Sequence, residues 1–209
     1  MEVSFKTPVH IIRPNLSESL LNELEADIYK IQSNSPSIKV SNINGWHSET
    51  DLFTRKETSI KTLCGVLMTE TTRQLMAISP DFDPKKYDGE FGGWININPK
   101  GGANATHHHQ PWDWSGVFYV KQPNISISSS ESDEDQRSGM IEFINPCQQS
   151  SGIAKKGFMN AGMAPFLRFR PNPGEIVLFP SYLLHSVYPN ETDGDRITIA
   201  YNVRLNEKK

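Results

Sequence analysis

Cysteine is almost missing from this 209-residue chain: Cys64 and Cys147 are the only two, far apart and in no CxxC spacing. That scarcity excludes a disulfide framework and a thiolate zinc site, and makes a reducing cytosol the expected compartment. An excess of positive charge is missing too. With a formal net charge of -3, the chain offers no broad cationic surface, so neither nucleic acid nor anionic lipid is expected as a partner. No apolar run reaches the length of a membrane span. The first residues, Met1 to Pro14, scatter Glu2, Lys6, His10 and Arg13 among single apolar residues and so lack the apolar core of a signal peptide. There is no internal repeat, and homo-oligomerisation is compatible with this composition.

At this length one well-buried core is expected, and two comfortable domains are not. The hydrophobic content of 36 % is low, but four Trp, ten Phe and fourteen Gly suit a β-rich core with tight turns. Ser17 heads a polar run without the Glu or Gln three residues on that would complete a capping box. Behind it, Leu20, Leu21, Leu24, Ile28 and Ile31 recur at helical spacing and predict an amphipathic helix. A second stripe, Ile60, Leu63, Cys64, Leu67, Thr71, Leu75 and Ile78, predicts another helix that stops at Ser79-Pro80.

After a short strand candidate at Val9 to Ile12, the β pattern begins near Phe91. Its strands are expected at Gly93 to Ile97, Ser115 to Val120, Met140 to Ile144, Phe166 to Phe169, Glu175 to Phe179 and Arg196 to Val203, which implies a sandwich or barrel. The acidic run Ser126 to Arg137 reads as a solvated loop. A second long connection, Gln148 to Pro165, carries Gly152, Gly157, Gly162, Lys155, Lys156 and Phe158, and is expected to cover a site and its substrate. The whole chain, 1–209, is expected to be one domain, with helical support over about 15–80 and a β core over about 90–205.

Chemistry concentrates on histidine. His107, His108 and His109 stand in a row after the Gly- and Asn-rich turn Gly101 to Thr106. In extended chain, residues two apart face the same way, so His107 and His109 can share a cavity while His108 points out. His185 follows the apolar run Leu178-Phe179-Pro180; by itself it would be read as a packed residue. Eleven residues on, Arg196 opens the strand Ile197-Thr198-Ile199-Ala200-Tyr201. A guanidinium there with the Thr198 hydroxyl two residues away can hold a small dicarboxylate; the plainer alternative is an interstrand salt bridge.

The ordered set Trp94-Ile95-Asn96, His107-x-His109, Ser115-Gly116-Val117-Phe118-Tyr119-Val120, Phe179-Pro180-Ser181-x-x-x-His185, Arg196-Ile197-Thr198 and Tyr201-Asn202 resembles the Fe(II)/2-oxoglutarate oxygenases. More narrowly, it is similar to a bacterial and phage group of them. The resemblance spans about Phe91 to Asn202, with an echo at Gly45-Trp46-His47-Ser48 and Asp51-Leu52. It implies a double-stranded β-helix, the cupin-like jelly roll, flanked by two helices. It also implies that His107 and His185 bind Fe(II) and that Arg196 with Thr198 binds the far carboxylate of 2-oxoglutarate. Tyr119 would add a hydroxyl there, and Asn96 and Trp94 would line the same pocket. The implied reaction is oxygenation, hydroxylation by default, of an unidentified small-molecule or peptide substrate.

In one respect the sequence departs from that family, whose first site is usually His-x-Asp or His-x-Glu; here His109 stands two residues after His107. A three-histidine site of His107, His109 and His185 is the simplest reading, with Asp113 or a water as the other candidates for the third position. The one literal His-x-Glu, His47-Ser48-Glu49, lies ahead of the second helix, outside the expected strand block. It reads as a decoy for the metal, with Trp46 or His47 left as substrate contacts or as packing. Three rivals stay open: a three-histidine cupin dioxygenase that uses no cosubstrate, a non-enzymatic jelly-roll module holding Zn or Ni in a closed shell, and a histidine triplet that is only a solvated turn.

Overall fold

A computed structural model describes residues 7–123, 137–146 and 164–209 of the chain. The acidic run, apart from Arg137, and the glycine-containing connection, apart from Ala164 and Pro165, lie outside the described residues. Elements follow in the order β1 (His10–Ile12), α1 (Glu18–Asn34), β2 (Asn42–Ile43), β3 (Trp46–His47), α2 (Thr58–Ile78), β4 (Tyr87–Asn98), β5 (Ala103–His107) and β6 (Trp114–Lys121). Then come β7 (Ile141–Ile144), β8 (Phe166–Phe169), β9 (Ile176–Pro180), β10 (His185–Val187) and β11 (Arg196–Glu207).

The strands form two antiparallel sheets. The larger has the order β1-β9-β6-β11-β4-β3, the smaller β2-β5-β10-β7-β8. The expected jelly roll is thus present, with the two helices against the larger sheet. Strands β4 and β11 pair over their full length, from Arg196 opposite Asn98 to Glu207 opposite Tyr87. Long-range pairing of this kind places residues from the two ends of the β block side by side.

Both helices form where apolar stripes predicted them. Leu24, Ile28 and Ile31 of α1 and Ile60, Leu63, Leu67 and Leu75 of α2 are buried against Ile95, Ile97, Phe118, Ile176, Leu178, Ile197 and Ile199 of the larger sheet. Each such side chain, fully buried, stabilises the fold by about 1.5–3 kcal/mol before ordering costs. Ser17 caps α1 without a full box: its Oγ accepts from the Leu20 amide at 3.2 Å. Ser59 Oγ of α2 donates to Asp27 of α1, 2.5 Å away, and ties the helices together.

The larger sheet is covered on both faces, by helices on one and by the smaller sheet on the other, which is why its strands read as nearly unbroken apolar runs. A second core of Val117, Tyr119, Ile141, Phe143, Val177, Phe179, Leu183, Val187 and Ala200 lies between the sheets. Gly116 is needed where these layers meet: a Cβ on it would come within 2.2 Å of the Tyr201 ring. That ring crosses to α2, where the Tyr201 and Thr71 hydroxyls are 2.8 Å apart.

Four strands differ from expectation: β2, and three that bear on the site. The stretch Gly101 to Thr106 turns only at its start, with Gly101 at φ +77°, and then becomes β5. His185 opens a three-residue strand, β10, that only pairing with β5 and β7 reveals. The Trp46-His47 segment is not outside the strand block: it is β3, the edge of the larger sheet, with Trp46 opposite Ile97 and His47 opposite Asn96. Trp46 packs in the helix-side core and donates its Nε1–H to the Ser35 carbonyl at 3.1 Å. Among the described residues no helix is long and apolar enough to cross a membrane.

Candidate metal centre

Antiparallel pairing assembles the centre. His185 of β10 lies directly opposite His107, the last residue of β5, and opposed residues of paired strands put their side chains on one face. His109 stands past the end of β5. Its amide donates to the Ser181 carbonyl at 2.8 Å and its carbonyl accepts from the Trp112 amide at 3.1 Å, which turns its ring back toward the other two. His108 is exposed and accepts from the Gln110 amide, as expected of the outward member of the triplet.

The ring centres of His107, His109 and His185 are 4.4, 4.8 and 5.0 Å apart. Three imidazoles on neighbouring corners of an octahedron, at a metal–nitrogen distance of about 2.1 Å, have ring centres about 4.5 Å apart. Their candidate ligand nitrogens lie within 4.8 Å of one another, so small χ rotations inward suffice to grip an ion. Asp113 is elsewhere: its carboxylate accepts from the Leu205 amide at 2.8 Å.

The rings are prepared as ligands. His107 Nδ1 is 2.7 Å from the Ala105 carbonyl and His185 Nδ1 is 2.9 Å from the Leu183 carbonyl. A carbonyl can only accept, so Nδ1 carries the proton and Nε2 keeps its lone pair for a metal. Among the described residues no carbonyl holds the His109 ring in this way; instead Trp94 lies beside it, centroid to centroid 5.4 Å. Burial also keeps the rings uncharged. It pushes His185, packed on Phe143 and Phe179, down to about 3. Burial, helped by the neighbouring His185 and His107, pushes His109 down to about 3 as well, and it lowers His107. Neutral imidazole is the form that binds a metal.

Deeper between the sheets, β11 and β4 line a narrow cavity with Arg196, Thr198, Asn96 and Trp94, alongside His107, His109 and His185. Arg196 is 1 % exposed. Its Nη1 reaches Thr198 Oγ1 only at 3.5 Å, and its Nε has no partner among the described residues. The Tyr119 hydroxyl and the Asn96 side-chain oxygen are buried and unpartnered in the same way, with the Tyr119 ring 5.1 Å from the guanidinium carbon. Burial lowers the Arg196 pKa. A buried cation with no carboxylate costs several kcal/mol unless something supplies the missing charge. The salt-bridge reading of Arg196 therefore finds no partner among the described residues.

His47 also reaches this region, which the sequence left as one option among several. Its ring stacks on Trp94, centroids 5.5 Å apart and planes 16° off parallel. It lines an outer cleft of about 440 Å³ with Val40, Ser41, Thr50, Trp94 and the histidine triplet. Asn104 and Val187, on the two strands not foreseen, complete the inner wall. Only strand pairing could have identified them, since neither belongs to a motif.

Comparison with known proteins places the fold and the family. The model of the family described as "Putative 2OG-Fe(II) oxygenase" matches residues 92–202, more than half of the chain. A Pseudomonas putida prolyl-4-hydroxylase superposes with a TM-score of 0.64 at 12 % identity, covering 95 % of this chain and 92 % of that one. A viral collagen prolyl hydroxylase from Paramecium bursaria Chlorella virus-1, solved with 2-oxoglutarate, gives 0.55 at 13 % identity over 95 % and 96 %. HygX from Streptomyces hygroscopicus, with nickel and 2-oxoglutarate bound, gives 0.58 at 12 % over 95 % and 83 %. At such identities the likeness is one of fold. No curated protein sequence matches.

Proposed function

Since the chain belongs to the 2OG-Fe(II) oxygenase family, we propose that it is a non-haem Fe(II)- and 2-oxoglutarate-dependent hydroxylase whose metal ligands are His107, His109 and His185. The observation that carries this reading is the pairing, in one cavity, of a convergent three-histidine cluster with a buried Arg196 that meets no carboxylate among the described residues. A divalent metal fits three neutral imidazoles, and a dicarboxylate fits the unanswered guanidinium.

Bound Fe(II), 2-oxoglutarate and O2 supply the oxidising chemistry, with succinate and CO2 as coproducts and hydroxylation of a substrate C–H bond as the default outcome. The chain's own residues do the rest. Arg196, with Thr198 and the Tyr119 hydroxyl, binds the far carboxylate by charge-assisted hydrogen bonds. Asn96 offers its amide beside it, and Trp94 walls the cavity on the side of His109. Ala105 and Leu183 hold the His107 and His185 tautomers through their carbonyls. The inter-sheet apolar core excludes water from the far end of the pocket, so those hydrogen bonds act in a low dielectric. His107, His109 and His185 would hold the metal as three protein ligands and leave positions for the cosubstrate and O2.

The test is anaerobic titration of the Fe(II)-loaded protein with 2-oxoglutarate, following the weak visible charge-transfer band. Wild type is expected to develop the band, and Arg196→Ala to need about 100-fold more 2-oxoglutarate, the loss that follows from removing one partner of a buried charge pair. Bound iron with no band would overturn the assignment of the cosubstrate.

A further inference from the structure

We infer that the mouth of this site takes a small anionic group, such as a carboxylate borne by the substrate, because the described residues place no acid there. This rests on the metal and cosubstrate reading above and adds to it the chemical class of what comes next. Two observations carry it, one about the inner cavity and one about the outer cleft.

In the inner cavity the ligand cluster is three histidines, and among the described residues neither an aspartate nor a glutamate lines the wall. The fixed charges of the loaded site are then the two positive charges of the metal and the one of Arg196. A bound 2-oxoglutarate dianion answers the guanidinium with one carboxylate and one metal charge with the other. One positive charge remains, at the metal, inside walls of low dielectric where an unanswered charge is costly. A carboxylate in the place of His109 would have cancelled it, and this chain has none.

In the outer cleft the absence of acids continues among the described residues. The side chains there are hydroxyl, imidazole, indole and aliphatic: Ser41, Thr50, Thr106, His47, Trp94 and Val40. The acids nearest in sequence, Glu49 and Asp51, line a separate hollow beside Lys30 and Arg55. Asp113 is held by the Leu205 amide. A ligand approaching the metal therefore crosses a cleft with three hydroxyl donors and, among the described residues, no carboxylate to repel it. A negative group meets the residual charge directly; a cationic group would meet it unscreened.

The experiment uses the full chain loaded anaerobically with Fe(II) and 2-oxoglutarate, and reads the charge-transfer band while acetate, azide, chloride or acetamide is added. Acetamide has the shape of acetate without its charge. In wild type, acetate and azide are expected to shift the band with dissociation constants at least tenfold below that of acetamide. In His109→Asp, which restores the missing charge, that preference is expected to shrink by tenfold or more. Chloride bound as tightly as acetate would identify a free anion as the occupant; binding of carboxylates without chloride would identify an acid on the substrate. A band that forms but is moved no more by acetate than by acetamide overturns the anion site and leaves the oxygenase reading standing. Absence of any band overturns that reading and the anion site with it.

Discussion

The two faces of strand β11 are one sequence read at alternate residues, and they do opposite things. Ile197, Ile199, Tyr201 and Val203 enter the core shared with the helices. Arg196, Thr198, Ala200 and Asn202 face the smaller sheet, the first three of them at the cavity wall. Strand β4 repeats the division, with Ile95 and Ile97 toward the helices and Trp94, Asn96 and Asn98 toward the site. Stability is concentrated on one face and chemistry on the other, a single peptide layer apart. A rigid, doubly paired strand can carry a buried guanidinium with no carboxylate among the described residues because its other face is secured by hydrocarbon. The site's electrostatic cost is met by packing a few ångströms away.

This division can be broken from either side. The largest effect is expected from His185→Ala, which removes the most buried ring of the cluster: metal bound per chain should fall to near zero by elemental analysis after desalting, while the circular dichroism of the fold persists. A variant that keeps a full equivalent of metal would remove His185 from the coordination sphere.

Acid should come next. His109 and His185 are held down to about 3 by burial, whereas in the unfolded chain they titrate near 6.5. Between those values the unfolded state binds protons that the fold excludes, so stability falls as pH falls. The slope approaches about 1.4 kcal/mol per pH unit for each ring. Urea denaturation of the metal-free protein at pH 7.5 and pH 5 should show this loss; equal stabilities at the two pH values would contradict the burial of neutral rings.

The smallest effect on the site should come from the other face. Ile199→Ala is expected to cost about 2–4 kcal/mol of stability and to leave metal affinity unchanged in the folded protein. If it instead weakened metal binding tenfold, the two faces would be coupled and the division drawn here would be wrong.

Much of this was legible in the chain. Helices α1 and α2 announce themselves by apolar stripes, and β4, β6, β9 and β11 by runs that only a sheet covered on both faces can bury. Strands β5 and β10 were not legible, although they carry His107 and His185. Ala103-Asn104-Ala105-Thr106 has alanine as its only apolar residue and follows two glycines, so local propensity reads it as turn; β10 is three residues long and has no propensity of its own. Their strand character comes from pairing with each other and with β7, which is long-range and leaves no local trace. The same holds for β3: Trp46 and His47 are unremarkable locally, and pairing with β4 brings the His47 ring onto Trp94 at the cleft.

The sequence by itself determined the architecture and the candidate residues, because the period of hydrophobicity selects helix or strand and because the order of His107, His109, His185, Arg196 and Thr198 survives without any geometry. Only the tertiary structure decided which of these meet. Three rings from β5, the turn after it and β10 converge to within 4.8 Å between candidate ligand atoms, Asp113 is drawn off to the Leu205 amide, and Arg196 is left buried with no carboxylate among the described residues. Those outcomes depend on strand register and on burial, which are properties of pairs of segments far apart in the chain, and no residue carries them alone.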